Sequence, residues 1–513
     1  MATFPTHTDP LSQTLQAAAM AWKRRDYQRG IEILESAAKM APHKPEIWFD
    51  LARCHGFCYN YKAAEECFEK GIRVTGWKTE SFLEAGRRCL VFSQNEMAKK
   101  YFERALKQNG NSIEALMRLA YIHLRHNHLN EVAQLADRAI HVDKNFIPAL
   151  LLRAALLRLN NKWDESERLL RSFITKSELD ARTRAESWYE LGTILDLQQR
   201  YDDAMAAFLE AKKCIRSMMG QNTVDIEIRR ENAKKAGKTI SAAMLKRWQA
   251  STLSESPKRF ALLCGHPRSG TTLLEQILDS HPEIISVEET DIFNEEALLP
   301  VTHAVPHELI FTALDTASNA QVHKSNSAYF QCAERFLGQP VGNRLLIDKN
   351  PSLTSLIPAV IRIIPEAKFI TALRDPRDVC ISCFTQPLMP VTPVSEVYLT
   401  LEATATEYAS VMGLWQMLKP LMANPFLEVH YEDLVENLET VARQTLEFLE
   451  LPWNDRVLEF QKLSQNKLVR SPTFAEVRKP VTKRAVGRWR NYQKYLEPCL
   501  PVLEPFVKAF GYE

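Results

Sequence analysis

The segment GHPRSGTT, residues 265–272, has the composition of a loop that binds an anion. Its two glycines let backbone N–H groups surround a phosphate or sulfate at the start of a helix. Thr271 and Thr272 add hydroxyl donors, and Arg268 adds a planar guanidinium suited to phosphate or sulfate oxygens. The lysine of the G-x-x-x-x-G-K-S/T pattern is absent, because Thr271 occupies its position. The loop therefore predicts a nucleotide anion as ligand and argues against ordinary ATP or GTP hydrolysis.

A second candidate anion site lies in AKFITALRDPRDVCISCF, residues 367–384. Arg374 ends a strand-like run, and Ser382 follows one to two turns into the next helix, so the two could bind a second phosphate. Asp375 and Asp378 are expected to pair with Arg377 or to cap that helix. The sequence thus predicts two separate anion loops.

Both loops occur in strand–loop–helix units, which predict an α/β domain beginning near residue 259. RFALLC (259–264) reads as the strand before the first loop, and TLLEQILD (272–279) as the amphipathic helix after it. KFITAL (368–373) reads as the strand before the second loop. These elements would place both anion loops at strand ends.

The first half of the chain repeats every 34 residues, in windows that start at residues 11, 45, 79, 113 and 147, with a sixth at 185. The eighth residue of every window is small, and these residues are Ala18, Ala52, Gly86, Ala120, Ala154 and Gly192. Small residues at fixed places let paired helices approach closely. The pattern resembles the tetratricopeptide repeat, a helix–turn–helix unit that stacks into an all-α superhelix with a concave surface for a protein or peptide.

Composition sets limits on the remaining possibilities. The 513 residues carry a net charge of +2, which gives no general attraction to nucleic acid or to an anionic membrane. The N-terminus lacks the pattern of a secretory signal, and no run approaches the roughly 18 apolar residues of a membrane span. The ten cysteines are scattered, and the lone C-x-x-C at Cys380 and Cys383 predicts reduced structural thiols rather than a metal site. We expect a cytoplasmic protein without metal, nucleic-acid partner or membrane span.

The two anion motifs, P-R-S-G-T-T after one strand and L-R-D-P-R-D-x-x-x-S after another, resemble those of sulfotransferases that use 3′-phosphoadenosine 5′-phosphosulfate (PAPS). The segments IISVEET (284–290), IDKNPS (347–352) and VHYEDLVENLE (429–439) make the catalytic half similar to the tyrosylprotein sulfotransferase branch. This resemblance covers about residues 259–495. With the repeats, the whole chain resembles tetratricopeptide-repeat sulfotransferases. The resemblance implies a P-loop-like α/β domain with a central parallel sheet, and PAPS as the sulfate donor.

The resemblance also implies roles for individual residues. Glu289 corresponds to the family's catalytic base, while Lys349 and Arg268 would supply positive charge to the reacting phosphosulfate. Residues expected to bind the donor are Arg268, Ser269, Gly270, Thr271 and Thr272 for the 5′-phosphosulfate, Arg374 and Ser382 for the 3′-phosphate, Tyr431 near the adenine, and Ser471 and Lys479 in a late loop. VGRW (486–489) resembles the G-x-W that follows that loop. Glu288 is expected to point away from the site and stabilise its loop.

The sequence predicts an N-terminal tail (1–10), six repeats (11–219), a connecting helix and linker (220–258) and a sulfotransferase domain (259–513). The resemblance implies a hydroxyl acceptor, with a protein or peptide tyrosine as a candidate. The repeats would recruit the acceptor or a protein partner and leave donor binding to the second half. Two alternatives stay open at this point. One is a small-molecule or saccharide sulfotransferase whose repeats serve assembly, and the other is a non-catalytic repeat scaffold with a nucleotide-binding module.

Overall fold

The computed structural model describes residues 9–219, 231, 234–235, 237–250, 258–303, 305–387, 393–464 and 481–513. Contacts within the chain define two compact units, Met1–Arg153 and Ala154–Glu513. The division falls inside the helix Ile147–Leu159, within the predicted repeat region. The second unit therefore contains the last repeat helices together with the strands.

The first unit consists of antiparallel helix pairs. Its helices are α1 Pro10–Lys23, α2 Tyr27–Met40, α3 Pro45–Phe57, α4 Tyr61–Val74, α5 Thr79–Val91, α6 Asn95–Gln108, α7 Ile113–Arg125 and α8 Leu129–Val142, followed by α9 Ile147–Leu159 at the division. A Cβ on Gly86 would lie 2.6 Å from the ring of Phe102, which is fully buried. The small eighth residue is thus what lets the two helices of this repeat approach, and the predicted windows each contain one helix pair.

The second unit begins with the remaining repeat helices, α10 Trp163–Arg171, α11 Ala181–Leu197 and α12 Tyr201–Met218. Gly192 repeats the arrangement of the first unit, because its added Cβ would lie 2.6 Å from the ring of Phe208. Of the predicted connecting segment, the described part includes the helix α13 Ala242–Gln249, whose Trp248 is buried.

A five-stranded parallel sheet forms the centre of the second unit. Its strands are β1 Phe260–Gly265, β2 Ile284–Glu288, β3 Leu345–Lys349, β4 Lys368–Leu373 and β5 Phe426–His430. Their order is β2-β3-β1-β4-β5, and every neighbouring pair is parallel. Strands buried on both faces read as continuous apolar runs, as β1 does. The predicted fold class, a helical repeat region followed by an α/β domain with a central parallel sheet, is confirmed.

Helices cover this sheet and carry the loops at its edge. The further helices are α14 Thr271–Asp279, α15 Leu299–Thr302, α16 Ile310–Thr316, α17 Asn319–Leu337, α18 Ile357–Ile363, α19 Pro376–Phe384, α20 Leu401–Leu418, α21 Tyr431–Glu436, α22 Leu438–Phe448, α23 Phe460–Ser464, α24 Gln493–Leu496 and α25 Leu500–Ala509. Leu274, Ile277 and Leu278 of α14 share one core cluster with Ala261 and Leu263 of β1. Within the described residues, none of the helices combines the length and apolar character required to cross a bilayer.

Shorter helical turns complete the second unit. One π-helical turn spans Phe293–Leu298, and 3₁₀ turns span His307–Leu309, Pro351–Leu356, Pro393–Tyr398, Asp455–Glu459, Lys483–Ala485, Arg488–Tyr492 and Glu497–Cys499.

Candidate active site

The first anion loop connects β1 to α14 and depends on two glycines in the left-handed region of backbone conformation. Gly265 has φ +125°, and a Cβ there would lie 2.4 Å from the carbonyl oxygen of Ala372 in β4. Gly270 has φ +94°, and a Cβ there would lie 2.6 Å from the ring of Tyr431. Both positions therefore exclude side chains for conformational and for steric reasons. Arg268 between them also has a positive φ, of 74°.

The two anion loops meet through direct contacts. Arg268 Nε donates to Ser382 Oγ at 3.0 Å, which links the first loop to the helix of the second. Arg374 Nη1 donates to the carbonyl oxygen of Arg268 at 3.1 Å. The parallel pairing of β1 with β4 causes this meeting, because Gly265 and Ala372 are register partners at the ends of the two strands. Three of the predicted donor-binding residues are thus brought together.

The hydrogen-bonding capacity of this cluster fits an anionic ligand. Arg374 is 5% exposed, and its Nε is buried without a hydrogen-bond partner among the described residues. The N–H groups in the first turn of α14 have no acceptor within that helix, since helix N-termini leave these donors unsatisfied. Ser269, Thr271 and Thr272 lie in the same loop and are buried. A phosphate or phosphosulfate would supply the acceptors that these donors need.

A second cluster lies where β2 and β3 end at the same edge of the sheet. Lys349 Nζ donates to Glu289 Oε1 at 2.6 Å and to Glu288 Oε1 at 3.0 Å. The Lys349 side chain has no exposed surface, whereas that of Glu289 is 36% exposed. Of the two glutamates, Glu289 is therefore the one that can reach a bound acceptor.

Both glutamates reach the same lysine because the backbone turns at Glu289. Consecutive side chains of a strand point to opposite faces. Glu289 has φ +47°, which ends β2 and redirects its side chain. Its N–H donates to the carbonyl oxygen of Lys349 at 2.9 Å, and Asn350 Nδ2 donates to the carbonyl oxygen of Thr290 at 2.9 Å. The expectation that Glu288 points away is wrong, since it is buried against Lys349.

The charge of Lys349 is fixed by its neighbours. Burial lowers the pKa of Lys349, but Glu288, Glu289 and Glu275 more than offset this, so the net shift is upward. Lys349 therefore stays protonated at neutral pH. Direct contact of its ammonium with a ligand would require one of these side chains to move, because no part of Lys349 is exposed. Glu275, fully buried on α14 beside Ser286, was not singled out from the sequence.

Tyr431 lies beside the first anion loop. It begins α21 directly after β5, and its ring packs against Gly270. The guanidinium carbon of Arg374 lies 4.9 Å from the centre of the same ring. The contact with the adenine itself stays a prediction.

Asp375 and Asp378 of the second loop have different partners. Asp375 caps α19 by accepting from the N–H of Arg377 at 2.9 Å and forms a 2.8 Å ion pair with the Arg377 guanidinium, as predicted. Asp378 does not pair with Arg377. Its fully buried carboxylate accepts from the N–H groups of Gly487 and Trp489, both at 2.7 Å. The VGRW segment thus contacts the second anion loop, a relation that only the tertiary structure reveals.

Ser471 and Lys479, predicted to lie over the donor, fall outside the described residues. Cys380 and Cys383 are buried free thiols on α19, and burial raises the pKa of Cys383 to about 12. Neither thiol would ionise at neutral pH, so neither has the thiolate that cysteine chemistry requires.

Comparison with known proteins gives the following matches. Residues 261–455 match the family model described as "Sulfotransferase family", and residues 15–55 and 151–217 match "Tetratricopeptide repeat". An "Uncharacterized protein" of Aquifex aeolicus (strain VF5) is 23% identical over 404 residues, which cover 77% of this chain and 50% of that relative. The chain therefore spans about half the length of this relative.

"Protein-tyrosine sulfotransferase 1" of Danio rerio is 27% identical over 271 residues, which cover 48% of this chain and 71% of the relative. Among solved structures, "Sulfotransferase Domain from the Synechococcus PCC 7002 Olefin Synthase" aligns with a TM-score of 0.36 and 22% identity, covering 50% of this chain and 98% of that one.

Proposed function

We propose that this protein transfers the sulfuryl group of PAPS to a hydroxyl acceptor. Support comes from the match of residues 261–455 to the sulfotransferase family model, alongside the tetratricopeptide-repeat matches. The observation that carries this proposal is the junction of two anion loops, in which Arg268 contacts both Ser382 and Arg374. A ligand with phosphates at two separate positions suits two joined loops better than a single triphosphate chain does.

When bound, PAPS supplies a sulfuryl group whose bond to a phosphate oxygen breaks as a bond to the acceptor oxygen forms, with adenosine 3′,5′-bisphosphate as the other product. Arg268 and the first-turn N–H groups of α14 would bind the 5′ side, and Arg374 with Ser382 would bind the 3′-phosphate. Tyr431, Ser471 and Lys479 are proposed to complete the donor site. The positive charge of Arg268 and the N–H groups of α14 would stabilise the negative charge that develops on the 5′-phosphate of the leaving adenosine 3′,5′-bisphosphate.

Glu289 is proposed as the general base that removes the proton of the acceptor hydroxyl. Its partly exposed carboxylate is held in place by Lys349, because the backbone turn at φ +47° directs the side chain toward that lysine. Lys349 adds positive charge beside the reacting atoms. Glu288 shares the ammonium of Lys349 and thereby limits how far it can move.

We propose a protein or peptide tyrosine as the acceptor, with the repeats as its recruiting surface. Support comes from the similarity to a protein named as a protein-tyrosine sulfotransferase and from the repeat region, whose architecture suits protein binding. Such recruitment would raise the local concentration of acceptor at the catalytic cleft.

The test is binding followed by transfer. Calorimetry should give much tighter binding of adenosine 3′,5′-bisphosphate than of ATP, and equal affinities would contradict the donor assignment. Incubation with PAPS carrying labelled sulfur and a cell lysate should then label tyrosine in protein. Label confined to saccharides or small molecules would replace the acceptor assignment, and absence of any transfer despite bisphosphate binding would favour the scaffold alternative.

A further inference from the structure

The last repeat contacts the VGRW segment through one largely buried carboxylate. Asp196, in the final turn of α11, is 11% exposed in its side chain. It accepts from Tyr492 Oη at 2.5 Å and from Arg488 Nη2 at 3.0 Å, and Arg484 Nη2 lies 3.5 Å from its second oxygen. All three donors belong to residues 483–492, which we call the clasp segment. A repeat residue thus anchors a stretch nearly three hundred positions away.

The clasp segment in turn contacts the second anion loop. The N–H groups of Gly487 and Trp489 satisfy both carboxylate oxygens of Asp378, and the carbonyl oxygen of Ala485 accepts from Arg374 Nη2. The Trp489 ring lies 4.1 Å from the guanidinium carbon of Arg377. The same segment therefore contacts the repeat on one side and Arg374 on the other.

We propose that the last repeat, α11 with α12, is part of the donor-binding site and that Asp196 is a positioning residue for Arg374. This rests on the proposed function, in which Arg374 binds the 3′-phosphate. Arg374 also donates to the carbonyl oxygen of Arg268, so the contacts run unbroken from Asp196 through the clasp segment to both anion loops. Under this proposal the last repeat contributes to donor binding, in contrast to the expectation from the sequence that the repeats leave donor binding to the second half.

Electrostatics explains how the clasp segment would affect the binding of a phosphate by Arg374. Asp378 Oδ2 lies 4.0 Å from Arg374 Nη2. Burial raises the pKa of Asp378, and Arg374 and the two clasp N–H groups oppose this shift by stabilising the charged carboxylate. Without those N–H groups, the carboxylate would draw Arg374 toward itself and repel a bound phosphate. Removing Asp196 would leave Arg488, whose side chain is 20% exposed, without its carboxylate partner, which favours release of the clasp segment.

The experiment compares Asp196→Asn with Asp202→Asn in the full-length protein. Asp202 lies in the first turn of α12, on the other helix of the same repeat, and pairs with Lys494 and Tyr495, beyond the clasp segment. Asp196→Asn should weaken adenosine 3′,5′-bisphosphate about tenfold while changing adenosine 5′-phosphate little, since only the 3′-phosphate depends on Arg374. It should raise the KM for the donor more than it lowers kcat. Asp202→Asn should change neither.

Hydrogen exchange provides a readout that does not depend on the ligand. Asp196→Asn should speed exchange at the amides of Gly487 and Trp489, which Asp378 now protects, whereas Asp202→Asn should not. Faster exchange without a loss of 3′-phosphate discrimination would overturn the positioning role. Unchanged exchange would overturn the clasp itself, and wild-type protein that fails to bind the bisphosphate would overturn the proposed function instead.

A double-mutant cycle with Arg488→Gln separates this role from general destabilisation. If Asp196 acts through Arg488, the double variant should lose little more bisphosphate affinity than either single variant. Fully additive losses would contradict the proposed route.

Discussion

Glu289 is the residue on which the proposed chemistry depends most directly. Changing Glu289 to Gln keeps its size but removes the base, so kcat should fall about 10²- to 10⁴-fold while the affinity for adenosine 3′,5′-bisphosphate stays nearly constant. Steady-state kinetics and calorimetry on the same preparation would measure both effects.

Glu288→Gln is the matched control, because both glutamates contact Lys349 but Glu288 is only 5% exposed. Its effect on kcat should be clearly smaller. If the two variants lose activity equally, the pair acts mainly by keeping Lys349 in place, and neither glutamate is the base.

At the scale of the element, the second anion loop offers two arginines with different environments. Arg374→Ala should weaken adenosine 3′,5′-bisphosphate by about 1.5–3 kcal/mol, the usual contribution of a hydrogen bond to a charged group, and should affect adenosine 5′-phosphate much less. Arg377→Ala is the control, since Arg377 forms an ion pair with Asp375 and donates to the carbonyl oxygen of Tyr512. Its effect on the affinity for adenosine 3′,5′-bisphosphate should be smaller. Equal losses for ligands with and without the 3′-phosphate would refute the assignment of Arg374.

The packing of α12 on α19 makes a prediction about pH and stability. Lys212 is buried over the ring of Phe384 and donates to the carbonyl oxygen of Tyr398 at 2.5 Å. Burial lowers the pKa of Lys212 from 10.5 to about 7. Between these two values the unfolded chain binds more protons than the folded protein, so this residue makes the free energy of unfolding rise with pH, by up to about 1.4 kcal/mol per pH unit.

Lys212→Met should remove this rise of the free energy of unfolding with pH. Relative to wild type, the variant should be most stabilised at pH 7 and below, and the difference in free energy of unfolding should shrink by pH 10. Urea unfolding across this range would measure it, with Lys213→Met as control because Lys213 is 70% exposed in its side chain. A pH-independent difference between Lys212→Met and wild type would show that Lys212 is charged when folded.

For the whole molecule, the decisive prediction concerns which repeats can be deleted without loss of donor binding. A fragment of residues 147–513 should bind adenosine 3′,5′-bisphosphate as the full chain does, because it keeps Asp196 and the second compact unit. Its KM for a protein acceptor should rise and its kcat at saturating acceptor should not, if the first repeats recruit the acceptor.

A fragment of residues 259–513 lacks α11 and α12 and should bind the bisphosphate more weakly. Circular dichroism and thermal unfolding would establish that each fragment is folded before affinities are compared. Full affinity in the shorter fragment would assign the whole repeat region to recruitment or assembly, and an unchanged acceptor KM in the longer one would favour assembly for the first repeats.

Local patterns in the sequence were sufficient to predict the helix pairs of the repeats and the two anion loops. The 34-residue spacing of small residues predicts the helix pairs, because Gly86 and Gly192 each face a phenylalanine ring of the partner helix. Strand–loop–helix units with glycine at both ends of the loop predict the anion loops, since the required backbone conformations depend on neighbouring residues alone. The domain limits and the individual roles of the site residues stay predictions.

Only the tertiary structure decided how these local pieces act together. Glu288 and Glu289 converge on Lys349 because of a left-handed residue after β2 and the parallel pairing of β2 with β3, neither of which the motif specifies. Asp378 accepts from a segment more than a hundred residues away, and Asp196 contacts Arg488 at a separation of 292 residues. Such contacts follow from the packing of the folded chain, whereas short motifs record only what neighbouring residues require of one another.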